Sequence, residues 1–237
     1  MRKLLVLLVL SALSAYSQVK SEAQQAPGTA GPEPRLVEEN ASYRVLRIEF
    51  DNDLQIPLPQ HGNDVIVVVL GDGVSVSSAT PVGAEKLVDG EVRLVERSAH
   101  ATLIHSGANF AQVLLVGLKQ HWDAELRPCT FPQTCVRPIR AGGQEIGQSE
   151  SLFTNGFVTA YRHRMDRGGT LSSSYYSKRA THHLMVVALD DLRANFEGTE
   201  QDLKRGQVFG SDAGEVEVEA GAHPARWVVI RVESQKG

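Results

Sequence analysis

The sequence predicts an all-β chain built from two tandem copies of one antiparallel unit, with little helix. Three observations carry this. Short apolar or alternating runs are separated by glycine-containing turns along most of the chain. No stretch shows a convincing helical period. The order of the runs repeats after about 115 residues.

The chain starts with a segment of a different kind. In "MRKLLVLLVLSALSAYS", residues 1–17, Arg2 and Lys3 form a basic start, Leu4 to Leu10 an apolar core, and Ala15 with Ser17 a small-residue cleavage site. This reads as a secretory signal peptide, too short for a stable membrane anchor, with export to a periplasm or to the exterior. No cysteine follows the apolar run, which speaks against a lipid anchor. Residues 18–42 are rich in Gln, Ala, Gly, Pro and Glu and are expected to form a flexible leader.

The first unit is expected over 43–119. "YRVLRIEF" (43–50) and "GEVRLVE" (90–96) alternate loosely, as half-buried strands do. "VIVVVL" (65–70) and "AQVLLVGL" (111–118) are continuous apolar runs, as strands buried on both faces are. "GDGV" after the first of these is a hairpin turn; it lacks the lysine and hydroxyl ending of a phosphate loop. From residue 151 to 237 the pattern returns. "FVTAYRHRM" answers "YRVLRIEF", "HLMVVALDDLRANF" answers "DVIVVVLGDGVSV", and residues 203–232 answer the region from Leu87 to Leu118. Gly90 and Gly206 lie 116 apart, Gly107 and Gly221 114 apart. Residues 120–150 are expected to be a linker. They hold both cysteines, Cys129 and Cys135, whose spacing suits neither a C-x-x-C redox pair nor a zinc site and predicts a local disulfide in an exported protein.

These residues resemble the cupin superfamily, in the two-barrel form called a bicupin, over about 43–233. Cupins are jelly-roll barrels with the motifs G-x5-H-x-H-x3-4-E-x6-G and G-x5-P-x-G-x2-H-x3-N, whose three histidines and glutamate hold a divalent metal. The resemblance implies that His61 stands at the first motif histidine. The next ligand position holds Asn63, and the glutamate position falls on Val67 or Val68, with Asp64 as a substitute from the neighbouring pleat. His100 fits the second-motif histidine displaced by one residue, and His105 takes the asparagine position. The first barrel therefore offers His61, His100, His105 and Asp64 as a ligand set for one divalent transition metal. The second offers no H-x-H: His182 and His183 adjoin and point to opposite faces of a strand, and the second-motif histidine is replaced by Glu215 or Glu217.

Composition narrows the function. The chain of 237 residues is 42% hydrophobic and 22% charged, with net charge −4; without Arg2 and Lys3, 22 basic residues face 28 acidic ones and the net charge is −6. No basic run points to nucleic acid. No serine stands in a G-x-S-x-G context. Trp122 and Trp227 alone do not make a sugar-stacking platform. "YRHRM" places Tyr161 and His163 on one strand face and Arg162 and Arg164 on the other, a candidate lining for an anionic ligand. The expectation is an exported two-barrel protein whose metal motifs have decayed. It would bind a small molecule or a protein partner, or associate structurally, including with a second copy of itself. The competing expectation is a metal-dependent enzyme, of oxygenase or isomerase type by resemblance, working from the first-barrel histidines.

Overall fold

The computed structural model describes residues 33–58, 64–79, 82–96, 100–119, 127–130, 135–155, 157–172, 182–196, 198–212 and 216–233. Among the described residues, nine strands form the first half: β1 (Arg35–Glu39), β2 (Tyr43–Phe50), β3 (Leu54–Pro57), β4 (Val65–Leu70), β5 (Val74–Ala79), β6 (Val82–Lys86), β7 (Val92–Val95), β8 (Thr102–His105) and β9 (Ala111–Leu118). They make two sheets, β1-β2-β9-β4-β7 and β3-β8-β5-β6. The second half has β10 (Arg127–Pro128), β11 (Val136–Ala141), β12 (Gln144–Thr154), β13 (Val158–Met165), β14 (Thr170–Ser172), β15 (His182–Ala188), β16 (Leu192–Phe196), β17 (Thr199–Leu203), β18 (Val208–Asp212), β19 (Val216–Glu219) and β20 (Ala225–Glu233). Its sheets are β10-β12-β13-β20-β15-β18, with β11 also on β12, and β14-β19-β16-β17. The pairings are antiparallel, as a jelly roll requires.

The unbroken apolar runs are explained by burial on both faces. Along β4, Val65, Val67 and Val69 join the core between the first half's two sheets, while Ile66, Val68 and Leu70 join a different cluster. β15 divides likewise: Leu184, Val186 and Ala188 face inward, and Met185 and Val187 face out into that same second cluster. β9 and β20 repeat the division. The shared cluster is the seam between the halves. It holds Tyr43, Leu114, Val116, Met185, Val228 and Ile230, each fully buried.

The seam is built symmetrically. Gly90 (φ +77°) donates its N–H to the Val69 carbonyl, and Gly206 (φ +80°) donates to that of Ala188, both at 2.8 Å. A Cβ on Gly90 would lie 3.2 Å from Leu189 of the other half; one on Gly206 would lie 3.2 Å from Leu70. Arg47 donates to the Gly206 carbonyl at 2.7 Å, and Arg162 to the Gly90 carbonyl at 3.2 Å. Each contact recurs with the halves exchanged, as in an isologous interface. The Asp89 carboxylate accepts from Gly71 N–H and, across the seam, from Arg205 and Arg226, at 2.9, 2.5 and 3.0 Å. Burial pushes that carboxyl up, but the hydrogen bonds from Arg205 and Arg226 outweigh it and hold it below the usual range. Arg226 also forks onto Asp190 at 2.8 and 3.0 Å.

Two expected boundaries are corrected. Arg35–Glu39 lies within the segment expected as leader, yet it pairs with β2, and Glu38 accepts from the Tyr43 hydroxyl at 2.7 Å over Gly210 of the second half. Residues 136–150, expected as linker, form β11 and most of β12 and extend the second half's sheet. The leader's low apolar content hid a strand whose stabilisation comes from its neighbours. The linker's Gly142-Gly143, at φ +57° and +84°, is a hairpin turn inside a sheet.

Candidate functional site

Leu58 N–H donates to the Ala101 carbonyl at 2.9 Å, so the residue after β3 lies beside the residue that enters β8. His61 falls outside the described residues. His100 is exposed and takes φ +44°, a left-handed conformation rare for a residue with a Cβ.

His105 closes β8 and is 1% exposed. Its partners in register are Leu54 and Val74, at the end of the strand away from Ala101. Nδ1 lies 2.8 Å from the Asn52 carbonyl oxygen, and the ring stacks on Phe50 with centroids 5.3 Å apart. A carbonyl only accepts, so Nδ1 donates to it, and among the described residues Nε2 meets no hydrogen-bond partner. Asp64 immediately precedes β4. The alternation of that strand puts it on the side of Ile66, away from the interior that receives His105.

The three described members of the expected ligand set do not converge: His100 is outside, His105 is inside at the far end of its strand, and Asp64 belongs to the other side of β4. Among the described residues no group of three His, Cys, Asp or Glu side chains could hold a metal ion. The space between the sheets is filled instead by Ile48, Val67, Val69, Val74, Leu103 and Val113, each fully buried.

In the second half, Tyr161 and His163 do share the inward face, but they meet packing rather than a ligand. His163 is fully buried, pairs with Ser149 and Trp227 across the sheet, and has the Trp227 ring at 5.2 Å and Tyr161 at 6.1 Å. Burial pulls its imidazole from the ordinary 6.5 down to about 3, so it is neutral at physiological pH. Arg162, expected to be available to an anion, is held by Glu150 at 2.6 and 2.9 Å and by the Gly90 carbonyl. The periodicity gave the right faces; it could not reveal that one face was seam and the other core.

At the far end of the second half a cleft of about 890 Å³ is bordered by Asp191, Arg193, Asp202, Lys204, Glu219 and His223. Arg193 pairs with Asp202 at 3.4 Å, Lys204 with Asp191 at 2.8 Å, and Arg226 with Asp190. Arg193, Lys204 and Arg226 are each paired with a carboxylate and Glu219 adds a fourth, so this wall carries an acidic excess.

The predicted disulfide is present: Cys129 and Cys135 are joined. It ties β10 to β11 along one edge of β12.

Comparison with known proteins bears on the fold. No protein-family model and no curated protein sequence matches the chain. Solved structures do. A Cupin 2 conserved barrel domain protein from Leptotrichia buccalis superposes with a TM-score of 0.55 at 11% identity, over 88% of this chain and 92% of that one. The chain has the cupin fold. Vicilin from Corylus avellana shares that fold with a TM-score of 0.57 at 8% identity, over 80% of this chain and 74% of its own. So does salicylate 1,2-dioxygenase from Pseudoaminobacter salicylatoxidans, with 0.57 at 8%, over 81% and 68%. A cupin fold shared by a vicilin and a dioxygenase selects no reaction by itself; that decision rests with the site.

For the metal that cupin resemblance implies, the described donors do not fit. They do not converge, and the buried Nε2 of His105 faces the Gly73 turn, 3.4 Å from where a Cβ there would stand.

Proposed function

We propose that this is an exported, two-barrel cupin-fold protein that acts by binding a small molecule or a partner, without metal chemistry. The observation that carries this reading is the filling of both interiors. Valines and leucines occupy the first, and Trp227 with a neutral His163 occupies the second. Three imidazoles and a carboxylate around an ion need an open, polar mouth with converging donors, and the described residues supply separated ones.

Export is supported by the pattern of residues 1–17 and by a disulfide, which persists in oxidising compartments. Among the described residues no helix is long and apolar enough to cross a membrane. The test is elemental analysis of the mature protein, purified without a histidine tag and without chelator. The reading expects less than stoichiometric transition metal. About one equivalent of iron, manganese, zinc or copper, lost on replacing His61 and His100, would establish the metal enzyme instead.

A further inference from the structure

We infer that a side slot in the second half, between β17 and β18, binds a small uncharged aromatic ring bearing a hydroxyl or amide edge. The inference deepens the binding reading above and rests on it. β18 ends the larger sheet of this half and β17 ends the facing sheet, so no ladder joins them. The gap holds a cavity of about 290 Å³ lined by Phe196, Thr199, Gln201, Phe209 and Ser211. Phe196 is buried and Phe209 half-buried, and their rings stack with centroids 3.3 Å apart.

The first half provides an internal comparison. Arg93 is paired in register with Val67, and Phe209 with Val186, in corresponding ladders. Glu85 is paired with Val76, and Gln201 with Ala194. Arg93 and Phe209 are 116 residues apart, as are Glu85 and Gln201, the same offset that relates Gly90 to Gly206. In the first half Arg93 and Glu85 form an ion pair that ties the two sheets together across this gap. The second half has exchanged that tie for an aromatic wall and an amide. Gly83 of the first half corresponds to Thr199, and Ser78 to Phe196.

The exchange replaces the sheet-to-sheet ion pair with a stack of Phe196 on Phe209 and leaves open space beside it. Two phenylalanines placed only to complete a core would leave no such space, because cores close-pack. The chemistry of the lining sets the ligand class. Aromatic faces favour offset-stacked or edge-to-face rings. The Gln201 amide and the Thr199 and Ser211 hydroxyls supply both donors and acceptors to a polar edge. None of these five is ionisable, so among the described lining residues a carboxylate or ammonium would meet no counter-charge to offset the hydration it gives up. The volume lies at the small end of ligand pockets.

The experiment is an amide-resolved NMR titration of the mature chain with phenol and with benzamide, with benzoate and glucose as comparison probes. The expected result is saturable shifts centred on Thr199, Gln201, Phe209 and Ser211 for the first two probes only. Phe209→Arg combined with Gln201→Glu, which installs the first half's ion pair, should weaken phenol binding at least about tenfold. Gln201→Leu, which leaves the aromatic wall intact, should weaken it about threefold and keeps the test open if the double variant does not fold. Absence of slot shifts with both ring probes overturns the inference, as does undiminished binding in the variants or binding of glucose in place of phenol. Phenol bound elsewhere on a metal-free protein overturns the slot and leaves the broader reading standing. Stoichiometric metal defeats that broader reading whatever the slot does.

Discussion

Acidification from pH 7 to pH 5 is expected to cost the folded chain about 2 kcal/mol through one side chain, His163. Burial between Ser149 and Trp227 holds its imidazole at about 3, against an ordinary value of 6.5 in the unfolded chain. Between those values the unfolded chain takes up a proton that the folded one refuses. The stabilisation is therefore complete above the unfolded value and declines by about 1.4 kcal/mol per pH unit as pH falls toward 3. From pH 7 to 5 the chain crosses about one and a half units of that slope. Because pH 5 is well above 3, the result depends little on the exact folded value. Carboxylates held low by arginines, Asp89 among them, add their own loss only below about pH 4. The assay is urea unfolding of the wild type and His163→Phe at both pH values. With a slope of roughly 2 to 3 kcal/mol per molar urea, the wild-type midpoint should fall by roughly 0.7 to 1 M, and the variant's by much less. Equal shifts in the two proteins would refute a buried neutral imidazole at this position.

Two further outcomes follow from the seam and the disulfide. Gly206→Ala forces a Cβ into φ +80° and within 2.9 Å of Gln112 Oε1 and 3.2 Å of Leu70; it should lower unfolding stability by about 1 to 3 kcal/mol in denaturant titration, with Gly90→Ala behaving alike. Reduction of Cys129–Cys135 should cost at most about 2 kcal/mol, because the loop it closes is short. Hydrogen exchange should then quicken in β10 and β11 while β4 and β20 stay protected.

Much of this architecture was legible in the residues. "VIVVVL" announced a strand buried on both faces, and the 116-residue offset of Gly90 and Gly206 announced two like halves; the structure assigns those faces to an interior and a seam. The site was less legible. His100 and His105 lie five residues apart, but one precedes β8 exposed and the other ends it buried, and that burial is decided by tertiary packing. The Phe196 and Phe209 pair was hidden because neither residue is unusual alone. Its signal was comparative: applying the glycine offset to Arg93 and Glu85 exposes the replacement of an ion pair by an aromatic and an amide. Arg35–Glu39 was missed because a strand rich in Arg and Glu takes its order from the sheet it joins.

Metal content of the mature, untagged protein decides whether these barrels keep the cupin shape without its ion. Far less than one equivalent of any transition metal is expected in a folded sample. One tightly held equivalent that disappears when His61 and His100 are replaced by alanine would contradict it.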